Sequence, residues 1–174
     1  MPGQRGQQEP TPEAQLRSYI ARLDPKNQKL IRSVRAAVRK RFPTANELAY
    51  DYTSSIVIGY SPTDNGIDSI VAIKAQPAGV CLYFSQGPQL PDPKRILLGS
   101  GKQVRFVQVE SASRLAHPDV EALIAATIDQ ARIPFPAEGR GSLIIKSGAK
   151  KASAKKPAAK KPAAKKRPRR TPMK

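Results

Sequence analysis

Residues 67–84 read IDSIVAIKAQPAGVCLYF, and this stretch decides the fold. Two runs of β-branched, aliphatic and aromatic residues flank the turn-forming sequence Gln76-Pro77-Ala78-Gly79. The pattern predicts a β-hairpin at the centre of a sheet, with strands at roughly 67–75 and 79–85. The elements on either side, up to residue 146, are expected to surround that sheet.

Upstream of the hairpin, the sequence predicts two helices joined by a short turn. Thr11-Pro12-Glu13 combines a hydroxyl cap, a first-turn proline and an acid, which is typical of a helix start. Asp24-Pro25 ends this helix and caps the second, and Pro43 ends the second. The second helix has one apolar stripe, formed by Leu30, Ile31, Val34, Ala37, Val38 and Phe42.

The remaining elements complete an α+β fold. Further strands are predicted at 47–52, 55–60 and 103–110, with a short edge strand at 142–145. One helical turn is expected at 94–98, and a last helix begins at His117-Pro118. The predicted fold is a mostly antiparallel sheet with an N-terminal helical hairpin and a C-terminal helix on one face.

Positive charge is concentrated at the C-terminus. The chain has a net charge of +18, and 13 of its 31 Lys and Arg residues lie in 146–174, where there is no acid. Residues 1–145 therefore carry 18 basic and 13 acidic groups, a net of +5. We expect three segments: a disordered N-terminus at 1–10, a folded domain at 11–147 and a disordered tail at 148–174.

The tail is a pentad repeat of Ala, Lys and Pro that cannot form a core. Its lysine pairs and arginines are predicted to neutralise phosphates of DNA or another polyanion without reading sequence. No aromatic residue interleaves them, so the tail offers no stacking platform. The predicted nucleic-acid-binding residues are Lys150, Lys151, Lys155, Lys156, Lys160, Lys161, Lys165, Lys166, Arg167, Arg169 and Arg170.

Two other roles for the tail are less favoured. A solubilising tail needs neither this charge density nor this repeat, and a membrane anchor would need apolar residues. The composition resembles the Ala-Lys-Pro tails of linker histones and bacterial histone-like proteins, which implies DNA compaction or tethering. In a nucleated cell, residues 165–170 would read as a nuclear import signal.

The sequence predicts a cytoplasmic, nucleoid-associated protein. The N-terminus has no apolar core typical of a signal peptide, and no apolar run approaches the ~20 residues that span a bilayer. The single cysteine, Cys81, excludes an intrachain disulfide and has no disulfide partner. Oligomeric state cannot be predicted from these features.

No constellation of residues predicts catalysis, so we expect no catalytic residue, metal or cofactor. Gly99-Ser100-Gly101-Lys102 lacks the other positions of a phosphate loop and is interpreted as a turn. His117 is expected to cap a helix or to lie exposed, and Cys81 to be a buried structural thiol. Scattered surface positions are expected for the acids near the start of the sheet, Glu47, Asp51, Asp64 and Asp68.

The strand tyrosines, among them Tyr52, could line a ligand pocket on the sheet with a lysine beside them. The candidate pocket residues are Tyr50, Tyr60, Lys74 and Tyr83. Tyrosines in strands are more often packing residues. The alternative function is therefore a domain that binds a small ligand or a metal, with an incidental basic tail.

The folded part resembles the YdhG-like family, also called the DUF1801 domain, over about residues 16–147. The resemblance rests on 47–52, on I-V-A-I-K and V-C-L-Y-F, and on L-P-D-P-K at 90–94. G-S-G-K-Q-V-R, the helix at 118–132 and L-I-I-K-S at 143–147 complete it. It implies a compact α+β domain in a family without an established activity.

Some members of that family are connected with iron handling in a frataxin-like role, as iron chaperones. Iron binding requires an oxygen-rich acidic surface. The second helix instead carries Arg32, Arg35, Arg39, Lys40 and Arg41. We therefore assign iron binding to no residue of this chain.

Overall fold

The computed structural model describes residues 9–146. Its elements are α1 (Pro12–Ile20), α2 (Pro25–Arg41), β1 (Asn46–Tyr52), β2 (Ser55–Ser61), β3 (Val71–Gln76), β4 (Gly79–Phe84), β5 (Arg105–Val109), α3 (Pro118–Asp129) and β6 (Leu143–Lys146). The predicted tail, and all of the predicted N-terminal segment except residues 9 and 10, lie outside the described residues. Within 9–146, no helix is long and apolar enough to cross a membrane.

The α+β fold is confirmed, and its sheet has six strands in the order β5-β4-β3-β2-β1-β6. Neighbouring strands are antiparallel except β1 and β6, which are parallel. The hairpin of β3 and β4 closes between Gln76 and Gly79. Gly79 has a φ of 127°, a conformation that favours glycine. β3 is third of the six strands, so the predicted central position of the hairpin is confirmed.

All three helices cover one face of the sheet, which we call the inner face. Its strand residues alternate with those of the opposite, outer face, because side chains point to opposite sides of a strand in turn. In β3, the inner residues Val71, Ile73 and Ala75 are fully buried. The same apolar core contains Ile31 and Val34 of α2, as the stripe predicted.

Polar caps fix the ends of the helices. The Thr11 hydroxyl accepts a hydrogen bond from the backbone N–H of Ala14 at 3.3 Å. Asp24 accepts one from Asn27 N–H at 3.0 Å, and the Asn27 side chain donates to the Gln76 carbonyl at 3.0 Å. The start of α2 is thereby tied to the turn of the central hairpin.

Two segments differ from the prediction. The strand expected from residue 67 begins at Val71, and Gly66–Asp68 is a 3-10 turn. The Asn65 side chain accepts from Ile67 N–H at 3.2 Å and so stabilises the turn. The helical turn predicted at 94–98 is also wrong, because Leu98 forms a β-bridge with Phe106 at the edge of the sheet.

Candidate functional site

The outer face brings together three of the four predicted pocket residues. Strand pairing aligns the outer residues in rows across the sheet. One row runs Lys146, Tyr50, Val57, Lys74, Cys81 and Gln108. The next row runs Ile144, Leu48, Gly59, Ala72, Tyr83 and Phe106. Tyr50, Lys74 and Tyr83 therefore share one surface.

Aromatic rings form two stacked pairs on this face. The rings of Tyr50 and Tyr52 lie 6.3 Å apart at 15°, and those of Tyr83 and Phe106 lie 5.0 Å apart at 24°. The Lys74 ammonium lies 6.0 Å from the centre of the Tyr83 ring, within cation–π range. The face thus presents two flat aromatic surfaces with a cation beside one of them.

A groove of about 280 Å³ runs between the two aromatic pairs. Small side chains form its floor, because Gly59 and Ala72 occupy neighbouring positions of β2 and β3. Tyr50 and Tyr52 line it on one side, and Tyr83 on the other. A planar group could enter from solvent and lie against either wall.

The loop between β2 and β3 closes one end of the groove. A side chain at Gly66 would place its Cβ 2.2 Å from the Tyr50 hydroxyl oxygen, so the Tyr50 side chain would have to move. A Cβ at Gly59 would similarly lie 2.7 Å from Ser69 Oγ. The loop therefore packs closely against Tyr50 and β2 at these two glycines.

The outer face is cationic. None of its positions in the six described strands is Asp or Glu, whereas Lys74 and Lys146 lie in the same row. Within 9–146, neither lysine forms a salt bridge. An anionic ligand would meet positive charge here without competition from a carboxylate on the strands.

Partial burial disfavours the charged forms of Tyr50, Tyr83 and Cys81 on this face. Burial raises the pKa of Tyr50 and Tyr83 above the ordinary tyrosine value, and neighbouring Tyr52 and Cys81 add to these effects. Burial also raises the pKa of the Cys81 thiol, although nearby Lys74 opposes the shift. Cys81 is buried, as the sequence predicted. At neutral pH, the tyrosines are uncharged platforms and the thiol is not an activated nucleophile.

Tyr60, the fourth predicted pocket residue, lies on the inner face and not in the groove. Its side chain is 0% exposed, and its hydroxyl donates to Glu47 Oε1 at 3.1 Å. Burial, followed by the charge of Glu47 and this hydrogen bond, raises the pKa of Tyr60 well above its usual value. Tyr60 is therefore a core residue and cannot reach a ligand on the outer face.

Glu47 was expected at the surface, but it is 2% exposed. The Arg35 guanidinium binds it through two hydrogen bonds of 2.9 and 2.7 Å and also binds Glu13. Burial alone would lower the pKa of Arg35, but the bonds to Glu47 and Glu13 raise it above the usual value. Arg35 likewise lowers the pKa of Glu13, chiefly through its hydrogen bond. The charges of this cluster are thus paired with one another.

The other acids are dispersed. Asp51 pairs with Arg22, and Asp68 pairs with Arg132 at 3.1 Å. No group of three His, Cys, Asp or Glu residues in 9–146 is arranged to hold a metal ion. His117 caps α3 as predicted, with Nδ1 accepting from Asp119 N–H at 3.4 Å. The predicted nucleic-acid-binding residues of the tail, 150–170, lie outside the described residues.

Sequence reasoning pointed to Tyr52 but missed Phe106. Tyr52 was named among the strand tyrosines that could line a pocket, and its spacing of two from Tyr50 places both on one face. Phe106 could not be placed without the pairing of β4 with β5, which sets it opposite Tyr83. The first signal was present in the sequence, and the second required the tertiary fold.

No family model, curated protein or solved structure matches this chain. The resemblance to the YdhG-like family stays a prediction.

Proposed function

We propose that this protein binds nucleic acid non-specifically and that its C-terminal polycation supplies most of the affinity. The observation that carries the proposal is the segregation of 13 Lys and Arg residues, with no acid, into residues 146–174. Cations spaced along a chain displace condensed counterions from phosphates, and that release favours binding. The protein is a non-enzymatic, YdhG-like domain that carries this polycation.

The folded domain supports this division of roles because residues 1–145 have a net charge of only +5, and some of its cations are paired with acids. Arg35 binds both Glu13 and Glu47, and Arg41 binds Glu121. Paired arginines contribute little to long-range attraction of phosphates. The residues considered for catalysis have structural roles as well: His117 caps a helix, and Cys81 is buried.

The test is a salt titration of duplex DNA binding by the full chain. If about 8–10 tail charges engage, log K falls with log salt at a slope of roughly −7 to −9. A second full-length protein has the eleven predicted tail residues changed to Gln, which keeps length and polarity. We expect this variant to lose most of the affinity and most of the slope. Equal affinity of the two proteins at moderate salt would overturn the proposal.

The groove on the outer face favours a second candidate function, the binding of a small anionic or planar ligand. Tyr50, Lys74 and Tyr83 line the groove together, as expected of a ligand pocket. Thermal unfolding of the full chain with a panel of nucleotides and aromatic acids tests it. Stabilisation that is lost in Lys74→Gln would support this function, and an unchanged unfolding temperature with every compound would contradict it.

A further inference from the structure

We propose that the outer face of the sheet binds unpaired nucleobases, so that the protein prefers single-stranded to double-stranded nucleic acid. This inference rests on the proposed function and names the form of nucleic acid that the folded domain selects. It assigns base stacking to Tyr50, Tyr52 and Tyr83, with Phe106 supporting the Tyr83 ring, and phosphate contact to Lys74.

The arrangement of the rings carries the proposal. Single-stranded nucleic acid is bound by aromatic platforms on which bases stack, combined with a positively charged surface that follows the backbone. An open sheet face that displays aromatic side chains is one established way to build such platforms. Here the ring pairs Tyr50–Tyr52 and Tyr83–Phe106 provide two platforms. Tyr52 is 39% exposed, so part of its ring already meets solvent.

The spacing of the platforms suits consecutive nucleotides. Tyr50 lies on β1 and Tyr83 on β4, three strands apart in the sheet. At ~4.8 Å per strand, the platforms are separated by roughly 14 Å. A few nucleotides can cross this distance with one base on each platform. The small residues Gly59 and Ala72 leave the space between the platforms open.

The charge of the face suits phosphate. Lys74 lies between the platforms, one strand from Tyr83, and no carboxylate occupies an outer position of the described strands. The sugar-phosphate backbone of a nucleic acid that crosses the sheet therefore passes the Lys74 ammonium group, which forms no salt bridge within residues 9–146. The same charge disfavours a second copy of the chain as occupant, because two such faces would repel each other.

The polycation begins at this face. Lys146, the last described residue, pairs with Tyr50 in the parallel register of β6 and β1 and shares its row. Residues 147–174 are covalently attached at that point. Single-stranded nucleic acid that is bound by the tail is thus held beside the aromatic platforms. This raises the effective concentration of its bases there. The outer positions of the described strands hold no carboxylate that could pair with the tail lysines, which disfavours the tail itself as the permanent occupant.

Tyrosine emission gives a direct test in the unmodified full chain. The protein has five tyrosines and no tryptophan, and three of the tyrosines lie on the outer face. Two probes bear bases on a single strand: oligothymidylate and oligouridylate of about 20 nucleotides. The other two are an abasic oligonucleotide and a DNA duplex of the same length. We expect both base-bearing single strands to quench the emission, and the abasic strand and the duplex to quench it much less.

Variants separate stacking from charge. Tyr83→Leu removes a platform and keeps an apolar side chain, so affinity for oligothymidylate should fall roughly fivefold to a hundredfold. Affinity for the abasic strand and the duplex should stay within about twofold, since the tail binds both through phosphates. Phe135→Leu is the matched control, because it removes a ring that packs against Phe42 at a tilt, away from the outer face. Thermal unfolding confirms that each variant is folded.

The outcomes distinguish this inference from the proposed function. Weak binding of every probe would contradict both. Tight binding of all four probes with no base-dependent quenching and no effect of Tyr83→Leu would leave the polycation proposal standing and overturn the inference. A preference for one of the two base-bearing strands would assign the site to DNA or to RNA.

Discussion

The two faces of the sheet differ in how their polar side chains are placed: those of the inner face are buried and paired, and those of the outer groove are partly exposed. On the inner face, Glu47 and Tyr60 are buried, and Arg35 and the Tyr60 hydroxyl satisfy the carboxylate. On the outer face, Lys74 and Tyr83 remain partly exposed in a groove without a carboxylate on the strands. The same strands supply both sets of residues, because successive side chains alternate between the faces.

This difference separates stability from binding. Removing one partner of a buried ion pair is strongly destabilising, because the other charge is left without compensation. Substitution of a half-exposed lysine or tyrosine changes the free energy of unfolding little, because water can take the place of the removed side chain. We therefore expect inner-face substitutions to change the free energy of unfolding and outer-face substitutions to change affinity.

The largest effect is expected for Glu47→Ala. The substitution leaves the buried Tyr60 hydroxyl without its partner and leaves the partly buried Arg35 guanidinium with Glu13 alone. We expect the free energy of unfolding to fall by about 3–5 kcal/mol. Urea unfolding followed by circular dichroism measures it. Lys74→Ala on the outer face is the control and should cost less than about 0.5 kcal/mol; comparable losses in the two variants would contradict the distinction between the faces.

An intermediate effect is expected from apolar truncation in paired strands. Ile73 is fully buried on the inner face of β3, whereas Val57 of β2 points into the outer groove. Ile73→Ala should lower the free energy of unfolding by about 3 kcal/mol through lost burial and a residual cavity. Val57→Ala should cost about 1 kcal/mol or less. The same urea experiment compares them, and an equal cost would mean that the outer face is also covered.

The smallest of the stability effects concerns Tyr60 and alkaline pH. Because the pKa of Tyr60 is raised in the folded state, the folded protein keeps this proton at pH values where the unfolded chain loses it. Its contribution is complete below the ordinary tyrosine pKa of about 10 and is lost as the pH rises towards the folded-state pKa.

Tyr60→Phe isolates this contribution. The variant should lose about 1 kcal/mol at neutral pH, through the missing hydrogen bond to Glu47. Above pH ~10, its free energy of unfolding should fall less steeply than that of the unchanged protein, by up to about 1.4 kcal/mol per pH unit. Parallel pH profiles of the two proteins would show that Tyr60 titrates normally, contrary to its burial.

Local patterns predicted the elements and much of the core. The alternation Val71, Ile73 and Ala75, followed by Pro77 and Gly79, is sufficient to locate the central hairpin. The apolar stripe of α2 likewise predicts the face that packs on the sheet. These features depend on neighbours in sequence, whose periodicity the chain displays directly.

The division between the faces was harder to predict. In β1, polarity suggests that Leu48, Tyr50 and Tyr52 point inward, but the structure buries Glu47 and Ala49 in the helix-covered core. Arg35, 12 residues away, makes the burial of Glu47 tolerable, and a local pattern does not contain that pairing.

The inward placement of Tyr60 could have been predicted from the sequence. It continues the alternation of Ile56 and Ile58, so it belongs with the inner residues of β2. The outer site also depends on the order of strands, because Tyr50 and Tyr83 share a groove only after β1 to β4 pair side by side.

The most direct test of the account is a map of oligothymidylate binding onto the two faces by NMR. Titration of the isotope-labelled full chain should shift the signals of Tyr50, Lys74, Tyr83 and Phe106 together with those of the tail lysines. Signals of Ile31, Glu47 and Tyr60 on the inner side should stay in place. Shifts confined to residues 147–174, with the outer face unmoved at saturation, would contradict the claim that this face binds unpaired bases.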